Sequence, residues 1–390
     1  MQYRQFGKLD WKVSALGFGL MRLPQLPKSK GAIDEAESLR MVRHAVDEGV
    51  NYLDTAYMYH GGKSENFLAK VLKDGYRKKV RIADKMPFWE AKVPEDFDTI
   101  FADQLKKVGV DYFDFYLVHS LNRPGWKKVR ELGILEWAER MKKAGKIHHF
   151  GFSFHDSFSA FKKIIDDYDG WEFCQIQHNY MDVQNQAGTR GLKYAAKKGL
   201  GVIIMEPLLG GKLAKLPPVV KKEIKDAPIQ RSPADWALQW LWDQPEVSLV
   251  LSGMTTMKQV EENLVSAEHS GVGSLTKAEK EIVRKVRETF RGMQPIPCTS
   301  CQYCMPCPNG VSIPDNFSVF NRAAMLKNWG EASFIYTHHI PEKARASACI
   351  DCNECEEKCP QKIPISDWMP YVDSVLTKKE KFDGRMSPKG

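Results

Sequence analysis

Long apolar runs are missing from this chain of 390 residues. Gly199–Met205, among the longest, is far short of the ~20 residues that a bilayer-spanning helix needs. The start, Met1-Gln-Tyr-Arg-Gln-Phe-Gly7, lacks the apolar core of a secretion signal. A cytoplasmic protein with no membrane partner is therefore expected. No nucleic-acid motif or aromatic-interleaved basic stripe is present, which excludes that class of partner. No Gly-x-Gly-x-x-Gly follows the first predicted strand, against a doubly wound dinucleotide fold. Apolar material as such is not scarce. Hydrophobic residues make up 43% and charged residues 27%, enough for a sizeable core and too apolar for a disordered chain.

Lysine and arginine outnumber aspartate and glutamate by 57 to 49, for a net charge of +8. The excess is uneven: residues 296–375 hold six basic and nine acidic side chains, or −3, leaving +11 elsewhere. Basic doublets such as Lys142-Lys143 and Lys197-Lys198 fall near predicted helix ends, where the helix dipole favours them.

Eight of the nine cysteines lie between positions 298 and 359. They form two groups, Cys298-x2-Cys301-x2-Cys304-x2-Cys307-Pro308 and Cys349-x2-Cys352-x2-Cys355-x3-Cys359-Pro360. Without an export signal, thiols stay reduced, so metal is the better reading than disulfides. Three cysteines spaced by two residues wrap one face of an iron–sulfur cubane, and the fourth, followed by proline, turns to the other cluster. Cys298, Cys301 and Cys304 would share one [4Fe–4S] cluster with Cys359; Cys349, Cys352 and Cys355 would share the second with Cys307. Structural zinc usually takes two separated pairs and fits poorly. The 41 residues between Cys307 and Cys349 point to a mainly helical ferredoxin-like domain, with a helix expected over Phe317–Trp329. His338-His339 reads as structural. Cys174 stands alone in an apolar stretch.

Before the cysteines, short strand-type runs alternate with helical patterns: Leu16–Gly19, Asn51–Thr55, Val80–Asp84, Phe113–Val118, His149–Phe154, Phe173–Gln177, Gly201–Met205 and Val247–Leu251. A helix is expected over Glu35–Glu48, and Ser232-Pro233 opens another. This alternation predicts an α/β fold, a (β/α)8 TIM barrel followed by the small helical ferredoxin-like iron–sulfur domain. Met1–Val13 reads as a hairpin closing the barrel bottom. The expected domains are a barrel over 1–272, a connecting helix over 273–295, the iron–sulfur domain over 296–376 and a polar, mobile tail over 377–390.

Barrel chemistry sits at the C-terminal ends of the strands. Asp54, Lys85 and His119 occupy such ends, and Tyr59 follows five residues after Asp54. Singly, each has a dull explanation, such as a capping aspartate or a satisfied core histidine; together they mark one rim.

Asp54-Thr-Ala-x-x-Tyr59, with a strand-ending Lys85 and a strand-ending His119, resembles the aldo-keto reductase family over roughly residues 1–270. The resemblance implies hydride transfer between a nicotinamide and a carbonyl or alcohol carbon, with Tyr59 as proton donor. An alkoxide developing on the substrate needs such an acid. Tyrosine ordinarily ionises near pH ~10, and a Lys85 ammonium, held by Asp54, is expected to lower that value; His119 would orient the carbonyl. By the same resemblance, Gln175 and Ser153 meet the carboxamide, with Phe154 where an asparagine is usual. Met205 stands at the nicotinamide-stacking position. Pro207, Leu208, Gly210 and Gly211 form the pyrophosphate loop, and Glu262 and Asn263 meet adenine. The basic residues expected at a 2′-phosphate align with Gly253 and Gln259, so either NADP(H) binds weakly, or NAD(H) is preferred, or Lys258 substitutes, or reducing power arrives through the clusters instead. A flavin would convert two-electron hydride chemistry into one-electron steps.

Three functions follow. One is an oxidoreductase whose clusters exchange electrons with a ferredoxin- or flavodoxin-like carrier. Another is a nicotinamide-dependent carbonyl reductase with a structural or redox-sensing iron–sulfur domain. The third is a non-catalytic electron-transfer or cofactor-sensing subunit.

Overall fold

Strand periodicity is strongest before the cysteine groups, and there the computed structural model closes a barrel. It describes residues 1–27, 31–298, 300 and 302–388. Two compact units result: residues 1–216 with 227–283, and residues 217–226 with 284–390.

The first unit opens with an antiparallel hairpin, Tyr3–Gln5 (β1) and Lys12–Ser14 (β2). Barrel strands follow: Leu16–Gly19 (β3), Tyr52–Asp54 (β4), Arg81–Met86 (β5), Phe113–Leu121 (β6), Ile147–Phe154 (β7), Phe173–Gln177 (β8), Gly201–Met205 (β9) and Leu249–Ser252 (β10). Among the described residues these eight pair in parallel and close in the order β10-β3-β4-β5-β6-β7-β8-β9. Each overlaps a run expected from the sequence. The helix Glu35–Asp47 is capped by Asp34, and Pro233–Trp242 by Ser232.

Alternation of side chains along each strand sorts the barrel into two apolar regions. Outward residues such as Leu53, Ile82, Val118, Cys174 and Ile204 pack beneath the helices. Inward residues Tyr52, Ala83, Phe115, Leu117, Phe173, Ile203 and Leu249 fill the interior. The hairpin plugs the lower end, as expected: the buried Phe6 ring lies 5.1 Å from Phe115, 6.0 Å from Phe173 and 5.8 Å from Trp11. Gly7 makes this plug possible. Its φ is +55°, and a Cβ there would lie 2.4 Å from the Gly201 nitrogen.

The second unit contains helices and no strand among the described residues. The helix expected over Phe317–Trp329 is instead two, Ile313–Leu326 and Trp329–His338. Lys327 takes a left-handed φ of +50°, and Asn328 caps the next helix through Glu331 N–H. Phe317, Phe320, Tyr336, Trp368 and Val372 form the core. Within residues 377–388, part of the segment expected to be mobile, two side chains pack back on the unit. Phe382 packs 4.9 Å from Trp329, and the Arg385 guanidinium lies 3.6 Å from the Tyr371 ring centre. Among the described residues no helix is long and apolar enough to cross a membrane.

Phe6→Ala should destabilise the protein by about 3–5 kcal/mol, the usual cost of emptying a buried aromatic site. Urea unfolding of the barrel checks this; a loss below about 1 kcal/mol would show that the hairpin is not part of the barrel core.

Candidate active site

From β4 to β8, the inward positions at the upper ends of successive strands are polar where the layers below are apolar. Asp54 ends β4, Lys85 lies near the end of β5, His119 near the end of β6, Ser153 on β7, Gln175 on β8 and Met205 ends β9. The period of two that fills the interior with Tyr52, Ala83 and Phe115 therefore also aims this set at one mouth.

Lys85 is fully buried. Its Nζ donates to Asp54 Oδ1 at 2.6 Å and to the Thr55 carbonyl at 2.6 Å. Burial works against its charge, and the Asp54 carboxylate, together with Tyr59 and Asp84, more than offsets this, so the ammonium titrates above the usual lysine range. The same Nζ stands 5.0 Å from the Tyr59 ring centre. Tyr59 reaches the mouth from the loop after β4, and its ring meets the His119 ring edge-on at 6.1 Å. The four expected side chains are thus brought together.

The electrostatics correct one expectation. Desolvation is the largest influence on the Tyr59 hydroxyl and raises its pKa; Lys85 opposes this without cancelling it. The net direction is upward, so the phenol carries its proton throughout the neutral range. Burial, followed by the Lys85 charge, holds His119 well below the usual histidine range. Its imidazole is neutral at pH 7, and Nδ1 has no hydrogen-bond partner among the described residues.

His119 is aimed by local backbone geometry. The β6–β7 register shifts between Val118 and Leu121, and Ser120 takes a left-handed φ of +52°. Such a bulge redirects side chains at a strand end. The Ser120 N–H donates to Ser153 Oγ at 2.7 Å, linking the two strands. The segments after β5 and β6 carry three large aromatics, Phe88, Trp89 and Trp126, of which Trp89 meets this set, 5.2 Å from the His119 ring. Phe88 packs into the outer core against Gly125, and Trp126 Nε1 donates to Asp167.

Behind Lys85 lies a polar cluster that sequence reading missed. Asp84, the neighbouring outward residue, is fully buried; burial and then Glu65 push its carboxyl well above the usual range. Gln104 donates to Glu65 Oε1 at 2.9 Å and to the Lys85 carbonyl at 3.0 Å, and accepts from Tyr116 at 2.6 Å. Thr55 was missed too, because it acts through a backbone carbonyl that every residue type possesses.

The positions expected to meet a nicotinamide dinucleotide fit it in part. Gln175 is buried, donates to Met205 Sδ at 3.8 Å, and leaves Oε1 without a partner among the described residues. That orphaned acceptor suits a carboxamide N–H. Phe154 instead packs outward, 5.0 Å from Phe161. In the loop after β9, Glu206, Leu209, Gly210 and Gly211 all have positive φ. The Glu206 carboxylate overhangs Gly210, with Oε2 3.7 Å from where a Cβ would be. On the helix Met257–Glu268, Asn263 donates to Ser252 Oγ at 3.1 Å, while Glu262 is exposed.

In the second unit, Cys298, Cys304 and Cys359 line one cavity, closed by Ile313, Phe317, Ile363 and Ile365. Soft sulfur donors in an apolar wall suit an iron–sulfur cluster. Cys301 lies outside the described residues. Cys352 is exposed, Cys355 buried, and Cys307 and Cys349 half-buried. The two cysteine loops share a backbone plan. Ser300 and Gln302 take φ of +55° and +70°, and Asp351 and Asn353 take +56° and +63°. After each fourth cysteine a turn closes, by Gly310 N–H to the Cys307 carbonyl at 3.0 Å and by Lys362 N–H to the Cys359 carbonyl at 3.1 Å.

Residues 15–273 match the aldo/keto reductase family, which covers well over half of the chain. The chain belongs to the aldo/keto reductase family. Residues 297–363 match a 4Fe-4S dicluster domain. Among curated relatives, L-galactose dehydrogenase of Arabidopsis thaliana is 26% identical, covering 73% of this chain and 94% of that protein. Protein tas of Escherichia coli is 26% identical, covering 73% and 98%. Among solved structures, the holo form of aldo-keto reductase AKR11C1 from Bacillus halodurans superposes with a TM-score of 0.61 at 25% identity, covering 73% of this chain and 96% of that one.

Asp54→Asn would leave the buried Lys85 charge without its counter-ion. A loss of about 3–5 kcal/mol is expected by denaturant unfolding. Asp54→Asn combined with Lys85→Met should lose less than the sum of the single changes. A single-variant loss near the ~0–1 kcal/mol of an exposed pair would contradict the buried-pair geometry.

Proposed function

We propose that the barrel interconverts a carbonyl and an alcohol, with Tyr59 as general acid and base, and that the [4Fe–4S] domain links this chemistry to a one-electron carrier of the ferredoxin or flavodoxin kind. The observation that carries the reading is the Lys85 ammonium, held 2.6 Å from Asp54 and facing the Tyr59 ring at the barrel mouth. A nicotinamide dinucleotide, when bound, supplies or accepts the hydride.

The residues divide the remaining work. Gln175 Oε1 and Ser153 Oγ receive the carboxamide, and Met205 offers an apolar flank for the ring. Pro207, Leu208, Gly210 and Gly211 line the diphosphate path, and Glu262 and Asn263 the adenine. As negative charge grows on the substrate oxygen, the Tyr59 O–H donates its proton there and the phenolate left behind is stabilised by Lys85. Asp54 keeps Lys85 charged and fixed. The neutral His119 supplies a hydrogen bond to the same oxygen, and Trp89 covers it from water.

Cys298, Cys301 and Cys304 with Cys359, and Cys349, Cys352 and Cys355 with Cys307, are the proposed ligand sets. The clusters, when bound, supply single-electron steps. A hydride carries two electrons at once, so a direct route between the two chemistries needs a converter, for which a flavin is the fitting class.

Tyr59→Phe should lower carbonyl reduction by about 10²–10⁴-fold, the usual weight of a general acid; unchanged steady-state turnover would sink the reading. The pH dependence follows from the raised phenol pKa. The protonated form is the donor, so reduction should stay level through neutral pH and fall only above about pH 10. Alcohol oxidation, which needs the phenolate, should rise with pH over the same range. A reduction limb that falls between pH 6 and 8 would place the acid elsewhere.

Anaerobic protein should carry about eight irons with matching sulfide. Cys304→Ser and Cys359→Ser should each remove the same cluster, seen as the same loss in iron and in the electron paramagnetic resonance spectrum. Zinc in place of iron would remove the electron-transfer half of the proposal.

A further inference from the structure

Arg22 ends the single 3-10 turn Leu20–Arg22 that follows β3. Parallel pairing of Phe18 with Ser252 sets the upper ends of β3 and β10 side by side, and Gly253 is the first residue beyond β10. A Cβ on Gly253 would stand 2.8 Å from Arg22 Cγ and 3.0 Å from Arg22 Cβ. Gly253 does not have a left-handed φ, so its bare α-carbon serves this approach rather than a turn. The arginine stem is seated on the glycine, and a side chain at 253 would expel it. Its head is exposed and has no acidic partner among the described residues.

Two other polar side chains stand on this rim, and neither is seated on Gly253 as Arg22 is. Lys258 Nζ is 3.8 Å from Glu262, on a side chain 82% exposed. Gln259 Oε1 accepts from Thr255 N–H at 2.8 Å and from its hydroxyl at 3.1 Å, closing the loop ahead of the helix Met257–Glu268.

We infer that Arg22, seated on Gly253, is the cation that recognises the adenosine 2′-phosphate of the dinucleotide and sets a preference for NADP(H) over NAD(H). This rests on the dinucleotide site proposed above. A guanidinium offers a phosphate two parallel donors, and a stem already held against backbone loses little freedom on binding. The charge comes from the turn after the first barrel strand, and Gly253 supplies the room.

Calorimetric titration of the full holoenzyme tests it, with NADPH, NADH and 2′,5′-ADP as probes; the last carries the 2′-phosphate without the nicotinamide. Arg22→Gln should weaken NADPH and 2′,5′-ADP by at least about tenfold, or about 1.4 kcal/mol, and leave NADH unchanged. Arg22→Lys should retain part of the affinity. Gly253→Ala should reproduce the loss with the arginine still present, and Lys258→Gln should change little. An unchanged NADPH-to-NADH ratio in Arg22→Gln, or a loss that follows Lys258 instead, overturns the inference and leaves the dinucleotide site standing. A parent protein that binds neither dinucleotide overturns both.

Discussion

An ammonium and a carboxylate 2.6 Å apart, both fully buried inside a barrel of hydrocarbon, are the constraint around which the first unit is arranged. Bringing two charges out of water costs several kcal/mol per ion, and the attraction repays it only with good geometry and further hydrogen bonds. Lys85 has both, through Asp54 and the Thr55 carbonyl. Below the pair, the aromatic plug of Phe6, Tyr52, Phe115 and Phe173 keeps the interior dry. Behind it, Gln104 clamps the Lys85 carbonyl and Tyr116 clamps Gln104. The site is thus supported from below and from outside, which leaves its open side for ligands.

That dryness explains why Tyr59 is raised rather than lowered. A lone phenol in such a setting would be a poor base, and the lysine reduces the cost of ionising it only in part. For a donor in carbonyl reduction the direction is useful, since the proton is present over the whole neutral range. The same desolvation keeps His119 neutral, so within the set of Asp54, Tyr59, Lys85 and His119 the only positive charge is that of Lys85.

The second unit solves a different problem with a repeated device. A short loop that directs several sulfurs inward cannot run as regular helix or strand, and left-handed residues around each middle cysteine supply the turns. Helices Ile313–Leu326 and Ile365–Leu376 each begin shortly after a fourth cysteine, and their apolar faces wall the cavity. The first copy has one residue fewer before its last cysteine and keeps the same turn beyond it. The two cysteine groups therefore share one backbone plan despite unequal spacing.

Linear order carried the periodic and the covalent parts of this protein. Alternating strands and helices announced the barrel, and because strand side chains alternate strictly, Asp54, Lys85 and His119 could be assigned to one rim before any contact was known. Cysteine spacing announced the cluster domain, since ligand reach depends on a few bonds. What tertiary structure alone decided involves residues with no periodic signature or acting across strands. Phe88 and Trp126 packed away while Trp89 met His119; burial overrode Lys85 in setting Tyr59; Thr55 worked through its backbone; and Phe382 packed back on Trp329. Arg22 is the clearest case. A glycine and an arginine far apart in the chain meet only because the first and last barrel strands pair, and closing a barrel is a property of the whole chain rather than of any segment.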